Sequence, residues 1–262
     1  MKHYPALEVL GQEELAPGFY RLSFFSPEIA DAAVPGQFLH VKVAPGLDPL
    51  LRRPLSVHAV NRRTGEVALL YRLAGRGTEL LARKKKGDSL DVLGPLGRGF
   101  TLPGPGRHAA VVAGGAGIAP LFFLLQRLFE AGNPAEVLLG ARNSKMLLLE
   151  KEIRTLGFFV RVATDDGSAG YRGAVTELLA ELLAQGGTEM VYACGPVTML
   201  AATARLLEEH SVDGQVSLEE RMGCGVGACF SCACRVREGD GRKSYRRVCF
   251  EGPVFLAGEV VW

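Results

Sequence analysis

The chain has 262 residues, 48% apolar and 22% charged, which is enough for more than one hydrophobic core in a soluble globular protein. Its 30 basic and 28 acidic side chains nearly cancel, so no strong field marks it for nucleic acid or a membrane surface. Four of its six cysteines fall between Cys224 and Cys234, and its 33 glycines follow no collagen or low-complexity repeat, which excludes a secreted disulfide scaffold and a fibre. Met1 to Glu8 contains no apolar run of the signal-peptide kind, so a cytoplasmic protein is expected.

The first hundred residues read as β structure. Leu39, Val41 and Val43 alternate with His40 and Lys42, the period-2 pattern of a half-buried strand. Further strands are expected over Phe19–Phe25, Ser56–Val60, Val67–Leu73 and Ser89–Leu93, parted by turns such as Pro35-Gly36 and Lys86-Gly87-Asp88, with a short helix over Thr78–Arg83. Strands this short and evenly spaced imply a small antiparallel barrel or sandwich. After the Pro/Gly-rich Leu102 to Gly106 the rhythm changes. Apolar runs at Ala109–Ala113, Val137–Ala141, Phe158–Ala163, Met190–Ala193 and Val216–Leu218 alternate with helical stretches Leu121–Glu130, Met146–Thr155, Val175–Leu183 and Thr198–Glu209. That is the pattern of a parallel sheet covered by helices on both faces. The uncharged run Ala109–Gln126 approaches the ~18 residues of a membrane span, but its central glycines and Pro120 make it a strand, a turn and a helix. The expected division is 1–101, 102–219 and 220–262, the last segment too small to stand alone.

Four constellations carry chemistry. The strongest is Cys224-x4-Cys229-x2-Cys232 followed by Cys249, the plant-type [2Fe–2S] spacing, in a loop where Gly223, Gly225 and Gly227 let backbone amides approach sulfur. Zinc is the competing reading, but its structural sites pair ligands in two short knuckles that this spacing lacks. Cys234 has no assigned role. The second is Gly114-Gly115-Ala116-Gly117-Ile118-Ala119-Pro120 between an apolar strand and an apolar helix, where small residues and a helix start admit a pyrophosphate. It is not the G-x-G-x-x-G fingerprint, and a tight turn without a ligand is the bland alternative. The third, Cys194-Gly195-Pro196, closes a later strand, on the side where parallel sheets bind ligands, which makes Cys194 a candidate nicotinamide neighbour. The fourth is Arg52-Arg53-Pro54-Leu55-Ser56, suited to a phosphate, reinforced by Tyr71-Arg72 and by Gly75-Arg76-Gly77-Thr78, whose threonine reads as a helix N-cap.

Taken in order, these motifs resemble the ferredoxin–NADP⁺ reductase superfamily from about Glu8 to Glu219, with Arg53-Pro54-Leu55-Ser56 similar to its flavin motif. The resemblance implies an N-terminal antiparallel FAD-binding β-barrel, a Rossmann-like parallel-sheet nicotinamide domain and, here, a small C-terminal iron–sulfur domain. FAD would rest on Arg53, Pro54, Leu55, Ser56, Leu70, Tyr71, Arg72, Gly77 and Thr78. NAD would rest on Gly114, Gly115, Gly117, Pro120, Cys194, Gly195 and Pro196, with the cluster on Cys224, Cys229, Cys232 and Cys249. Asp165 and Asp166 after one strand would repel a 2′-phosphate and favour NAD, with Arg142 and Lys145 arguing the other way.

The cysteines narrow the resemblance to the electron-transfer subunits of NAD-dependent dihydroorotate dehydrogenases. A complete ferredoxin domain would need more chain after Glu219 than remains. The branch implies an oxidoreductase subunit of pyrimidine (UMP) biosynthesis, passing electrons through [2Fe–2S] and FAD to NAD⁺. It also implies an FMN-containing, dihydroorotate-oxidising catalytic subunit as partner, two of each in a heterotetramer, with no nucleic acid or membrane. FAD/[2Fe–2S] subunits of sulfide dehydrogenases or bifurcating ferredoxin:NAD(P) oxidoreductases share this layout and are the alternative. No histidine pairs with a carboxylate motif, so no acid–base residue is assigned and His40 and His58 are expected to be structural.

Overall fold

The computed structural model describes residues 2–262. Six antiparallel strands close into a barrel: β1 (Lys2–Ala16), β2 (Phe19–Phe25), β3 (Phe38–Lys42), β4 (Arg53–Asn61), β5 (Glu66–Arg72) and β6 (Ser89–Leu96), in the order β1-β2-β5-β4-β3-β6. β1 was not expected. It pairs first with β6 and then with β2, and register shifts after Tyr4, Val9 and Glu14 break the alternation that would have betrayed it. Helices α1 (Pro27–Ala32) and α2 (Arg76–Leu81) fill the connections. α2 begins two residues before the expected start, capped by Gly75 instead of Thr78.

The second half places β7 (Ala109–Gly114), α3 (Ile118–Glu130), β8 (Ala135–Ala141), α4 (Glu150–Thr155), β9 (Phe159–Thr164), β10 (Tyr171–Arg172), α5 (Val175–Gln185), β11 (Met190–Cys194), α6 (Val197–His210) and β12 (Asp213–Ser217) in alternation. A hairpin, β13 (Ala233–Arg237) with β14 (Lys243–Arg247), follows, and then β15 (Val254–Leu256). The sheet order is β10-β9-β8-β7-β11-β12-β15, all parallel except β15, which runs antiparallel to β12. The strand order reverses between β7 and β11, whose carboxyl ends hold the two glycine motifs. The segment after Glu219 thus returns a strand to the sheet, and Arg98 bridges to Pro253, tying that strand to the end of the barrel.

Three apolar clusters hold this together. One fills the barrel around Phe24, Leu39, Val57 and Leu69. One packs α3 and α4 on a sheet face together with barrel residues Phe19 and Leu70. The third packs α5 and α6 on the other face, and it takes in Cys232, Val248, Cys249 and Phe255. The cysteine-bearing segment therefore shares the core of the sheet domain. Among the described residues no helix is long and apolar enough to cross a membrane.

Barrel and sheet domain meet at His58, fully buried on β4, whose Nδ1–H donates to the Ala119 carbonyl at 3.0 Å while the ring stacks on Phe122. Burial pushes its pKa down from 6.5 to about 4. Above pH 6.5 both folded and unfolded chains carry it neutral. As pH falls below that value the unfolded chain takes up a proton that the folded chain refuses, so stability declines until about pH 4. At 1.36 kcal/mol per unit the loss approaches roughly 3 kcal/mol. Urea unfolding of wild type and His58→Asn across pH 4–7 is expected to show a shallower decline in the variant; parallel profiles would refute the assignment.

Candidate functional site

A cleft of about 880 Å³ opens where all three parts meet. Arg53, Pro54, Leu55, Ser56, Leu70, Tyr71, Arg72 and Thr78 line it from the barrel. Gly114, Gly115, Gly117, Asp165, Gly195 and Pro196 line it from the sheet domain. Met222 and Pro253 complete its wall from the C-terminal segment. Three expected residues lie elsewhere. Gly77 sits behind Arg53, where a Cβ would come within 2.3 Å of Nε, so the glycine seats the guanidinium. Pro120 is buried in α3, on the core side of the helix. Cys194 is 1% exposed, beneath the floor, and burial pushes its thiol pKa strongly upward. What Cys194 offers is its carbonyl, which a Cβ on Gly117 would approach to 2.0 Å.

The floor is glycine packed on glycine. A Cβ on Gly195 would come within 3.0 Å of Gly114 Cα, and one on Gly114 within 2.7 Å of Pro196 Cδ. This brings the turn after β7 against the turn after β11 and leaves room for a flat ligand. At the barrel rim, Thr78 donates its hydroxyl to the Gly75 carbonyl and accepts from the Ala74 amide, fixing the loop beside Arg53. Tyr71 donates to Gln12 Oε1 at 2.8 Å, which holds its ring in place as a wall of the cleft. Arg53, Arg72 and Arg142 supply positive charge along the cleft, as a bound pyrophosphate requires. Asp166 accepts from the Ser168 amide and hydroxyl, which hold its pKa below the usual range, so it serves the turn. Of the two aspartates, Asp165 is the one that lines the cleft.

Glu219 also lines the cleft and was missed by the sequence reading. The enclosing walls raise its carboxyl pKa, with the charge of Arg72 pulling the other way. Its position just past the end of β12 was the available signal, since ligands gather at the carboxyl ends of parallel strands.

Beyond Met222 the chain enters the cysteine loop. Its thiols fall into two pairs. The Cys224 amide donates to Cys229 Sγ and the Cys229 amide to Cys224 Sγ, both at 3.4 Å. The Cys249 amide donates to Cys232 Sγ at 3.4 Å. Val226 and Ala228 direct further amides at Cys224 Sγ, and Gly227 directs one at Cys249 Sγ at 3.2 Å. Among the described residues no three His, Cys, Asp or Glu side chains are grouped to hold a single metal ion. Four thiols ringed by N–H donors would suit a [2Fe–2S] cluster, which takes four cysteine thiolates. Hydrogen bonds from Ser231 and Cys224 lower the Cys229 pKa to about 6, while burial pushes Cys249 up to about 12. Cys234 follows on β13, opposite Arg246.

Arg247 braces the loop. It donates to the Gly227 carbonyl at 2.7 Å, pairs with Glu251, and lies between the rings of Phe230 and Phe250 at 4.8 and 5.0 Å. Those rings are 57% and 55% exposed beside exposed Cys229. Basic residues Arg242, Lys243, Arg246 and Arg247 follow in the turn and second strand of the hairpin. Arg242 pairs with Asp240, Arg246 with Glu238 and Glu259, and Arg247 with Glu251, so these arginines spend their charge internally.

Comparison with known proteins places this geometry. Residues 219–261 match the iron–sulfur cluster binding domain of dihydroorotate dehydrogenase B, and residues 111–205 match an oxidoreductase NAD-binding domain. The NADH-dependent reduced ferredoxin–NADP oxidoreductase of flavin-based electron bifurcation has a TM-score of 0.87 at 30% identity, over 100% of this chain and 92% of its own. A ferredoxin–NADP⁺ reductase from Neisseria gonorrhoeae, solved with FAD and NADP, shares the fold at a TM-score of 0.67 and 18% identity, over 84% of this chain and 94% of its own. The dihydroorotate dehydrogenase B (NAD(+)) electron transfer subunit of Desulforamulus reducens is 49% identical over 97% of both chains, and that of Bacillus caldolyticus 43% over 97% of both. At this identity and coverage, the chain belongs to the family of dihydroorotate dehydrogenase B (NAD(+)) electron transfer subunits.

Proposed function

We propose that this chain carries electrons from a dihydroorotate-oxidising partner to NAD⁺ in pyrimidine biosynthesis, using FAD and a [2Fe–2S] cluster. The observation that carries the reading is that Met222 lines the cleft two residues before Cys224, so the flavin and cluster sites adjoin on one continuous segment. When bound, the cluster supplies one-electron transfer and the flavin its conversion to the hydride chemistry that nicotinamide requires.

The residues provide position and charge. Arg53, seated on Gly77, is the pyrophosphate ligand on the barrel side, and Pro54, Leu55, Ser56, Leu70, Tyr71, Arg72 and Thr78 shape the flavin wall. Gly114, Gly115, Gly117, Gly195 and Pro196 form the floor on which NAD lies. Cys224, Cys229, Cys232 and Cys249 would hold the cluster that supplies the one-electron step. Phe230 and Phe250, exposed beside Cys229, face the catalytic subunit, which carries FMN in a heterotetramer of two of each chain. All six cysteines are free, which suits the reducing cytoplasm. The segments 1–101, 102–219 and 220–262 remain the functional division, with β15 of the last built into the sheet of the second.

Asp165 selects NAD over NADP by accepting from ribose hydroxyls and repelling a 2′-phosphate. Replacing it with alanine is expected to raise kcat/KM for NADPH relative to NADH by roughly tenfold, since like-charge repulsion of this kind costs a kcal/mol or more. An unchanged ratio in steady-state assays would move selectivity to another residue. The function itself is tested by the visible spectrum of the purified chain, which is expected to show flavin and cluster absorption that both bleach with NADH. A chain without either absorption, or one that NADH leaves unbleached, contradicts the reading. Electron delivery from sulfide or ferredoxin in place of dihydroorotate would select the alternative.

A further inference from the structure

One side chain between the flavin-lining strand and the cysteine loop belongs to neither set of site residues. His40 stands on β3 opposite Pro54 of β4. The alternation of β3 assigns it to the wet face, yet it is 1% exposed, with both ring nitrogens unpartnered. Burying polar atoms without partners costs stability, so such a residue calls for a partner that is not part of the chain. The ring presses on the cysteine loop. A Cβ on Gly225 would come within 2.5 Å of Nδ1, and the φ of +71° there independently favours glycine. The carbonyls of Arg52 and Cys224 lie against the ring as weak acceptors, outside the distance and angle of a full hydrogen bond. The other histidines are placed differently: His3 on Asp91, His58 under α3, His108 at the entry to β7 and His210 at the end of α6.

We propose that His40 is a positioning residue for the iron–sulfur group held by Cys224, Cys229, Cys232 and Cys249, its imidazole N–H donating to sulfur on the Cys224 side of that group. The inference rests on the reading of these cysteines as cluster ligands. An imidazole keeps at least one N–H in either charge state, so the donor is always present. Hydrogen bonds to cluster sulfurs are among the factors that set reduction potential, and a donor favours the more negative, reduced state. The ring also fills the space between the flavin-lining barrel wall and Gly225, fixing the separation of the two redox sites.

The test is electron spin-echo spectroscopy of the reduced cluster in the assembled complex, with the chain labelled with ¹⁵N-histidine. A histidine nitrogen coupling that changes with the label is expected in wild type and absent in His40→Leu. Redox titration of His40→Leu is expected to show the midpoint lowered by a roughly tenfold change in the reduction equilibrium, 59 mV for a one-electron couple. His40→Asn, which restores an N–H donor, is expected to recover part of that shift. A wild-type cluster without histidine coupling, or a midpoint unmoved in His40→Leu, overturns the inference alone. A wild-type complex lacking a two-iron cluster on this chain overturns the cysteine reading and this inference together. Should His40→Leu fail to fold, the label on wild type decides the question.

Discussion

Cys249→Ser is expected to abolish the reduced two-iron EPR signal and to cut dihydroorotate-dependent NAD⁺ reduction on the order of 100-fold or more. Loss of outer-shell contacts alone costs metal sites 10–100-fold, and this substitution removes a ligand. Serine matches cysteine in shape, so the cost falls on coordination more than on packing. Cys249 is 2% exposed, accepts the Gly227 amide and offers its own amide to Cys232 Sγ, which makes its sulfur the anchor of the second thiol pair. NADH-driven bleaching of the flavin is expected to persist, because the cleft does not include Cys249. Cys234→Ser is the counterpart. Burial raises that thiol to about 11, and it sits on the hairpin outside the hydrogen bonds that join the two pairs, so its loss is expected to leave the EPR signal intact. A signal that survives in Cys249→Ser and vanishes in Cys234→Ser would reassign the fourth ligand.

The second large effect is expected at Gly117. Its backbone is ordinary, with φ −60°, so the requirement is purely spatial. A Cβ would lie 2.0 Å from the Cys194 carbonyl oxygen and 2.7 Å from the Gly195 amide nitrogen, atoms of a central strand end that no rotamer can move. Gly117→Ala must therefore push the turn after β7 away from the turn after β11. Overpacking of this kind costs about 1–3 kcal/mol, and separating the two halves of the nicotinamide floor is expected to raise KM for NADH at least roughly tenfold at 1.36 kcal/mol per decade. Gly239→Ala is the control. Nothing lies within 4 Å of its Cβ position, so a change within about 0.5 kcal/mol is expected. Equal behaviour of the two variants in denaturation and NADH kinetics would remove the packing argument.

The sequence exposed what periodicity and spacing encode. The parallel strands, the turn glycines and the C-x4-C-x2-C spacing were legible because each follows a rule of one local element. β1 escaped because bulges interrupt its alternation, and β15 because three residues carry no period. Glu219, the burial of Cys194 and the orphaned imidazole of His40 depend on which elements meet in three dimensions. His40 shows this most clearly. The strand's alternation assigns it to solvent, and the cysteine loop, with Gly225 against the ring, helps to cover it.

Near the thiols, Arg246 and Arg247 are paired with carboxylates of the same segment. Exposed around the thiols are the rings of Phe230 and Phe250, both in contact with the Arg247 guanidinium. Such a patch beside an exposed Cys229 is suited to burial against another subunit.

The most direct measurement is NAD⁺ reduction driven by dihydroorotate, followed at 340 nm, with the catalytic subunit alone, this chain alone and the two reconstituted together. Turnover only in the reconstituted complex, with NAD⁺ preferred to NADP⁺, is the predicted result. NAD⁺ reduction by the catalytic subunit alone, or a complex that transfers nothing from dihydroorotate to NAD⁺, would contradict it.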